Sequence, residues 1–182
     1  MSDVGRHEQQ ANGVCMSETK ASLSSRLIRN FNEAPLNHAA LEPKYDCGHA
    51  RLSEGTAANK LAAGVNVVPP GKRACPYHLH HAQEEMFIVL EGSGTLRVAG
   101  EMLPIKAGDT IFIPPGREFP HQIINTSEAL LKYLAIGTTD DPEICEYPDS
   151  GKYLAEGGLA NREPFAAIGR STSSLNYWEG EE

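Results

Sequence analysis

The sequence lacks any apolar run long enough to cross a membrane, and its N-terminus lacks the apolar stretch of a secretory signal peptide. It also lacks an excess of basic residues, because 16 Lys and Arg stand against 24 Asp and Glu, for a formal net charge of -8. Since phosphate backbones are bound by basic surfaces, this charge argues against a nucleic-acid partner. These absences predict a cytoplasmic protein that binds neither membranes nor nucleic acids.

The cysteines lack the C-x-x-C pairs and the spacing of a zinc finger; they are Cys15, Cys47, Cys75 and Cys145. In a reducing compartment we expect all of them to be free thiols. Cys75 lies three residues before His78. It is either a neighbour of a functional site or a small buried or surface thiol.

The strand–helix alternation of a parallel α/β sheet is also missing. From about residue 61 the chain consists of short apolar segments divided by Gly and Pro, such as Leu61–Val68 and Glu85–Leu90. A Gly-containing turn, Glu91–Gly94, follows the second of these. Many short strands with turns between them predict an all-β protein, either an antiparallel sandwich or a barrel.

We expect one domain with extensions at both ends. A short helix is predicted at Ser24–Phe31 with a Ser cap, followed by irregular structure up to about residue 60. Met16 offers an alternative start of translation, and Trp178 is expected to pack against the body of the protein. The predicted regions are a flexible tail (1–22), an N-terminal extension (23–60), the β-barrel core (61–139) and a C-terminal extension packing on the barrel (140–182).

Three histidines and a glutamate are spaced so that they face one cavity. His78 and His80 lie two residues apart on a predicted strand, so their side chains share a face, and Glu85 begins the next strand. His121 begins a later strand after a Pro-rich turn. Three nitrogens and a carboxylate predict a divalent transition metal, and the ligand types suit Zn, Fe, Mn, Ni or Co. Four protein ligands leave one or two positions on the ion open for a substrate.

Neighbouring residues allow other interpretations. Glu84 is a rival carboxylate, but strand alternation turns it to the opposite face. His81 alternates away from the cavity and is predicted to lie at its rim or on the surface. Lys72 and Arg73 either meet an anionic substrate or are solvated rim charges. The segment 148–152 (PDSGK) lacks the pattern of a phosphate-binding loop and is predicted to be a turn.

The two blocks of sequence around these residues resemble the paired motifs of the cupin superfamily. The first block has His-x-His, then a Glu, then six residues before a Gly, namely His78, His80, Glu85 and Gly92. The second has Gly, five residues, Pro-x-Gly, His, three residues and Asn, namely Gly108, Pro114, Gly116, His121 and Asn125. Two departures are present: Gly71 lies one residue further from His78 than in the family, and four residues instead of two separate Gly116 from His121. We expect the two additional residues, Arg117 and Glu118, to loop outward.

A narrower resemblance connects the chain to bacterial cupins described as similar to sugar phosphate isomerases. It is carried by the segments 69–97, 146–152 and 177–178. The resemblance implies a single jelly-roll β-barrel, a site like that of mannose-6-phosphate isomerase, a bound divalent metal and a homodimer.

The site predicts a metal-dependent protein that binds a small molecule in the barrel, and the resemblance implies a sugar or sugar phosphate. An isomerase also requires a base for the carbon-bound proton, and the candidates by position are Glu84, His81 and Tyr77. One alternative is a non-haem iron dioxygenase, since an ion with open positions can bind substrate and oxygen together. The other is a non-catalytic ligand-binding or regulatory module.

Overall fold

The computed structural model describes residues 19–158, 164–170 and 175–181. This part of the chain contains one helix, α1 (Lys20–Leu27), and thirteen strands. The strands are β1 (Asn37–Leu41), β2 (Tyr45–Arg51), β3 (Leu61–Val68), β4 (Leu79–His80), β5 (Glu85–Glu91), β6 (Ser93–Val98), β7 (Glu101–Lys106), β8 (Thr110–Ile113), β9 (His121–Ile124), β10 (Leu131–Thr138), β11 (Glu143–Tyr147), β12 (Lys152–Gly157) and β13 (Phe165–Arg170). The predicted flexible tail, up to residue 18, lies outside the described residues together with Cys15 and Met16.

The strands form antiparallel sheets. One sheet has six strands in the order β1-β2-β3-β10-β5-β8. The other strands form a four-stranded sheet, β13-β12-β11-β4, and a three-stranded sheet, β7-β6-β9. A bridge between His78 and His121 joins these two where β4 meets β9. The fold is therefore the all-β jelly roll that the sequence predicts.

The core lies between the sheets and is built by alternation along the strands. In β5, Phe87 and Val89 point inward and are 6% and 1% exposed. They pack in one cluster with Leu131 and Tyr133 of β10 and with Leu96 of β6. Each fully buried aliphatic or aromatic side chain contributes roughly 1.5–3 kcal/mol. The packing of these side chains therefore stabilises the strands on both sides of the core.

The turn between β5 and β6 depends on Gly92. Its φ is +82°, and a Cβ at this position would lie 2.3 Å from the backbone oxygen of Leu130. Any other residue would displace the chain that leads into β10. Gly92, which ends the first sequence motif, therefore fixes the turn of the β5–β6 hairpin, and Glu85 is the first residue of β5.

The structure differs from the sequence predictions at both ends of the barrel. Helix α1 begins four residues before the predicted start because Thr19, not Ser24, caps it, with the Thr19 hydroxyl accepting a hydrogen bond from the Ser22 N–H. The region predicted to be irregular up to residue 60 contains β1 and β2, and the C-terminal region contains β11, β12 and β13. Pairing with neighbouring strands stabilises these segments despite their weak intrinsic strand propensity.

In the part of the chain that the structure describes, no helix has the length and apolar character needed to cross a bilayer.

Candidate metal centre

The three sheets bring the three histidines and the glutamate together. His80 lies in β4, His78 immediately precedes that strand, and His121 begins the neighbouring β9. Glu85 begins β5 in the facing sheet. The cluster therefore spans the core, with the imidazoles on the two smaller, bridged sheets and the carboxylate on the six-stranded sheet.

The oxygen Oε2 of Glu85 is the common point of the cluster. It lies 2.8 Å from Nε2 of His121, 3.4 Å from Nε2 of His80 and 3.9 Å from Nε2 of His78. One ligand atom each of His78, His80 and Glu85 lie within 4.8 Å of one another. The His121 ring centre is 4.5 Å from that of His78 and 6.3 Å from that of His80. His121 therefore contacts the compact group on two sides, at Glu85 and at His78.

Three buried atoms of the cluster have no hydrogen-bond partner: Nδ1 of His80, Oε2 of Glu85 and Nε2 of His121. The last two face the centre and approach each other to 2.8 Å without the angles of a hydrogen bond. Nδ1 of His78 lies 2.9 Å from the backbone oxygen of Pro76, and Nδ1 of His121 lies 3.2 Å from that of Phe119. If each Nδ1 carries the proton and donates a hydrogen bond to that backbone oxygen, each Nε2 presents a lone pair to the centre. Such an arrangement suits a metal ion, because a cation satisfies inward-facing atoms that otherwise lack partners.

Burial and neighbouring charges favour the protonation states that metal binding requires. Burial, reinforced by the neighbouring His121, lowers the pKa of His78 from its usual 6.5 to about 4, so its ring is neutral at pH 7. Burial alone would raise the pKa of Glu85, but its contacts with His121 and His80 lower it overall. A neutral imidazole and an ionised carboxylate are both competent metal ligands.

Glu143 of β11 lies beside the cluster and could not be identified from the sequence alone. It is 5% exposed, and its carboxylate accepts hydrogen bonds from the backbone N–H groups of His81, Ala82 and Gln83. Its Oε1 also lies 3.5 Å from Nδ1 of His80. Burying a carboxylate is costly unless it is well satisfied, and here several donors compensate for the lost hydration.

The candidate bases, Glu84, His81 and Tyr77, lie outside the cluster. Glu84 has an exposed side chain. Nε2 of His81 lies 2.7 Å from Oε1 of Glu146. Tyr77 is 5% exposed, and its hydroxyl accepts a hydrogen bond from the N–H of Gly100. The structure does not bring any of the three to the four clustered side chains.

Other residues noted in the sequence have local partners. Lys72 pairs with Glu42, and the guanidinium of Arg73 lies over the ring of Tyr45. Sγ of Cys75 is 3.9 Å from Nδ1 of His78, but burial raises the pKa of its thiol to about 12. In the metal-free protein Cys75 therefore neighbours the cluster as a neutral thiol.

One of the two additional loop residues, Arg117, contacts Glu146 at the surface. Arg117 has a 72% exposed side chain, and its guanidinium donates to Oε1 of Glu146, the same oxygen that faces His81. Glu118 is exposed as well. The loop before His121 is therefore tied at the surface to β11 through Glu146.

Comparisons with known proteins agree with this architecture. The family model described as a cupin domain matches residues 64–137. An uncharacterized protein of Methanocaldococcus jannaschii is 37% identical over 102 residues, 54% of this chain and 77% of its own length. The oxalate-binding protein of Thermotoga maritima is 36% identical over 86 residues, 47% of this chain and 69% of its own.

Among solved structures, a proposed sugar phosphate isomerase from Acidithiobacillus ferrooxidans is similar to this chain with a TM-score of 0.69 and 26% identity. The similarity covers 83% of this chain and 97% of that one. It extends beyond the barrel motifs to most of the described residues. Both the sequence motifs and the fold therefore lead to one assignment: the chain belongs to the cupin superfamily.

Proposed function

We propose that this chain is a metal-dependent cupin that acts on a small polar molecule, a sugar or sugar phosphate, in an isomerase-type reaction. The observation that carries the proposal is the convergence of His78, His80, Glu85 and His121 on one point, with buried atoms that lack other partners. The similarity to the A. ferrooxidans structure supports this class of substrate.

A divalent ion bound there would polarise a substrate carbonyl or hold adjacent hydroxyls. The protein residues have separate tasks. The three imidazoles are fixed by strand pairing, and Glu85 supplies the negative charge that an all-imidazole site would lack. Phe87, whose ring centre is 5.6 Å from that of His121, closes the site on its core side and excludes water.

A lysine on the face of the sheet that bears the histidines supports an anionic substrate. His80 pairs with Cys145, so Tyr147, two residues further along β11, lies beside His78, and the rings stack with centres 6.4 Å apart. Lys152 pairs with Tyr147 across the β11–β12 hairpin, and its Nζ lies 5.4 Å from the centre of that ring. Among the described residues no carboxylate forms an ion pair with this ammonium.

Nζ of Lys152 lies 5.4 Å from the ring centre of Tyr147, which lies 6.4 Å from the ring centre of His78. The ammonium is therefore within about 12 Å of the His78 ring. A phosphorylated sugar could place its carbonyl end at the metal and its phosphate at this lysine. Lys and Arg are common partners of phosphate groups.

The test compares a sugar with its phosphate ester. Metal-loaded protein is titrated with fructose and with fructose 6-phosphate, and binding is followed by the melting temperature, which rises with RT ln(1 + [L]/Kd). We expect the phosphate ester to bind more tightly than the sugar, and Lys152→Met to weaken the binding of the phosphate ester about 10-fold. Lys106→Met, a change at an exposed lysine of β7, should leave the affinity unchanged.

NMR of the incubated sugar reports isomerisation. Binding with full recovery of unchanged ligand would identify a binding module instead, and the absence of binding by either sugar would contradict the proposed substrate class.

The compact group His78, His80 and Glu85 favours a second candidate, a non-haem iron dioxygenase. Two histidines and one carboxylate on one side of an ion leave positions for substrate and oxygen. Anaerobic reconstitution with ferrous iron, followed by oxygen uptake in the presence of candidate substrates, tests this function. Substrate-dependent oxygen consumption would replace the isomerase proposal.

A further inference from the structure

The three histidines of the cluster differ in what their Nδ1 atoms contact. For His78 and His121 the contact is a backbone oxygen two residues earlier in the chain, that of Pro76 or Phe119. Nδ1 of His80 is buried and has no hydrogen-bond partner among the described residues. The carboxylate that lies within ion-pair distance of it, at 3.5 Å, is that of Glu143. His80 is therefore the imidazole whose tautomer the local backbone does not fix.

Glu143 is firmly held where it faces this nitrogen. Its Oε1 accepts from the N–H of His81 at 2.9 Å, and its Oε2 accepts from those of Ala82 and Gln83 at 3.0 and 2.8 Å. These three residues belong to the connection from β4, which bears His80, to β5, which begins at Glu85. The buried carboxylate of Glu143 thus bonds to the connection between His80 and Glu85 and also faces the ring of His80.

We propose that Glu143 is a positioning residue of the metal centre, an inference that rests on the proposed metal-binding function. Its carboxylate holds the proton of His80 on Nδ1, so that Nε2 presents its lone pair to the ion. Its bonds to the backbone of residues 81–83 set the separation between His80 and Glu85. Carboxylates that orient ligating histidines in this manner commonly account for 10- to 100-fold in metal affinity.

The test uses Glu143→Gln and a matched control, Glu156→Gln. Glu156 lies directly opposite Glu143 on β12, so the control makes the same change of charge on a neighbouring strand. Zinc affinity is measured by competition with a chromophoric chelator. We expect Glu143→Gln to bind zinc about 10- to 100-fold more weakly and Glu156→Gln to match the parent. Equal affinity of Glu143→Gln and the parent would overturn the proposal.

A purely structural role would lower the melting temperature of the metal-free protein and leave the His80 tautomer unchanged. The tautomer is read by ¹⁵N NMR of the imidazoles, with the His80 signal assigned by its loss in His80→Gln. In the metal-free parent we expect the proton on Nδ1, and in Glu143→Gln we expect a mixture of the two tautomers.

This measurement on the parent requires no bound metal and no change at Glu143; the variant that it needs is His80→Gln, for the assignment. A His80 ring protonated at Nε2 in the parent would contradict the role of Glu143 directly. A parent that holds the Nδ1 tautomer but binds no metal would instead contradict the proposed function and leave the positioning of His80 intact.

Discussion

His78 and His121 exchange two backbone hydrogen bonds: the N–H of His78 donates to the oxygen of His121 at 3.1 Å, and the N–H of His121 donates to the oxygen of His78 at 2.7 Å. This pair joins β4 to β9 and, with them, the two sequence motifs. The position of His121 is therefore set by strand pairing rather than by the length of the preceding loop. The two additional residues, Arg117 and Glu118, can extend the loop at a cost of only a few tenths of a kcal/mol.

Replacing His121 by Ala should weaken metal affinity about 10- to 1000-fold, on the order of 1.4 to 4 kcal/mol, and abolish any activity. The expected cause is the loss of one ligand from a buried position, since His121 is 1% exposed. Isothermal titration with zinc checks the prediction, and His81→Ala is the control because it removes a histidine whose ring faces Glu146 instead. If His121→Ala and the parent bind equally well, the site has three protein ligands and the dioxygenase candidate gains support.

Acid should destabilise the metal-free protein over the range in which His78 takes up a proton. Its pKa is lowered to about 4 in the folded state, against 6.5 when exposed, so the unfolded chain binds more protons between these values. The free energy of unfolding should therefore fall as the pH drops from about 6.5 to 4. The lowered pKa of Glu85 acts in the same direction at the acid end of this range.

Urea titrations at several pH values measure this slope. In His78→Asn, which carries no ionisable group at that position, the slope should become shallower. An unchanged slope would show that His78 does not carry the lowered pKa.

The N-terminal extension is predicted to lie in the interface of a homodimer. Strand β1 is exposed along its whole length at the edge of its sheet, and Leu41 on it is 70% exposed. Light scattering should give the mass of a dimer at micromolar concentration, and Leu41→Glu should shift the protein towards the monomer. Met102→Glu is the control because it places the same charge on β7, which lies at the edge of another sheet. A monomeric parent would refute this prediction.

Short-range patterns in the sequence predicted an all-β sandwich or barrel and put His78 and His80 on one face, whereas the jelly roll and the inclusion of His121 with them followed from the resemblance to the cupin motifs. Two-residue alternation turned His78 and His80 to one face, and glycines such as Gly92 marked the hairpins. The hydrophobic run of β5 and the strand at β3 were visible for the same reason.

The parts that were not predicted depend on pairing between distant segments. Glu143 is a charged residue on the otherwise apolar inner face of β11, so the sequence of this segment does not identify it as a buried strand. Its burial is explained by its hydrogen bonds to residues 81–83, which are distant in the sequence. Lys152 was interpreted only as part of a turn, and its place beside Tyr147 follows from the β11–β12 register. Trp178, which was expected to pack on the barrel, is 73% exposed and contacts the ring of Tyr177.

Elemental analysis of the purified protein tests the central claim most directly. We predict about one equivalent of a divalent transition metal per chain in the parent, and almost none in His78→Ala/His80→Ala, which should keep a cooperative unfolding transition because the core stabilises the barrel. The control, His38→Ala/His81→Ala, removes two histidines outside the cluster and should retain the metal. The same metal content in His78→Ala/His80→Ala as in the parent would contradict the assignment of this site.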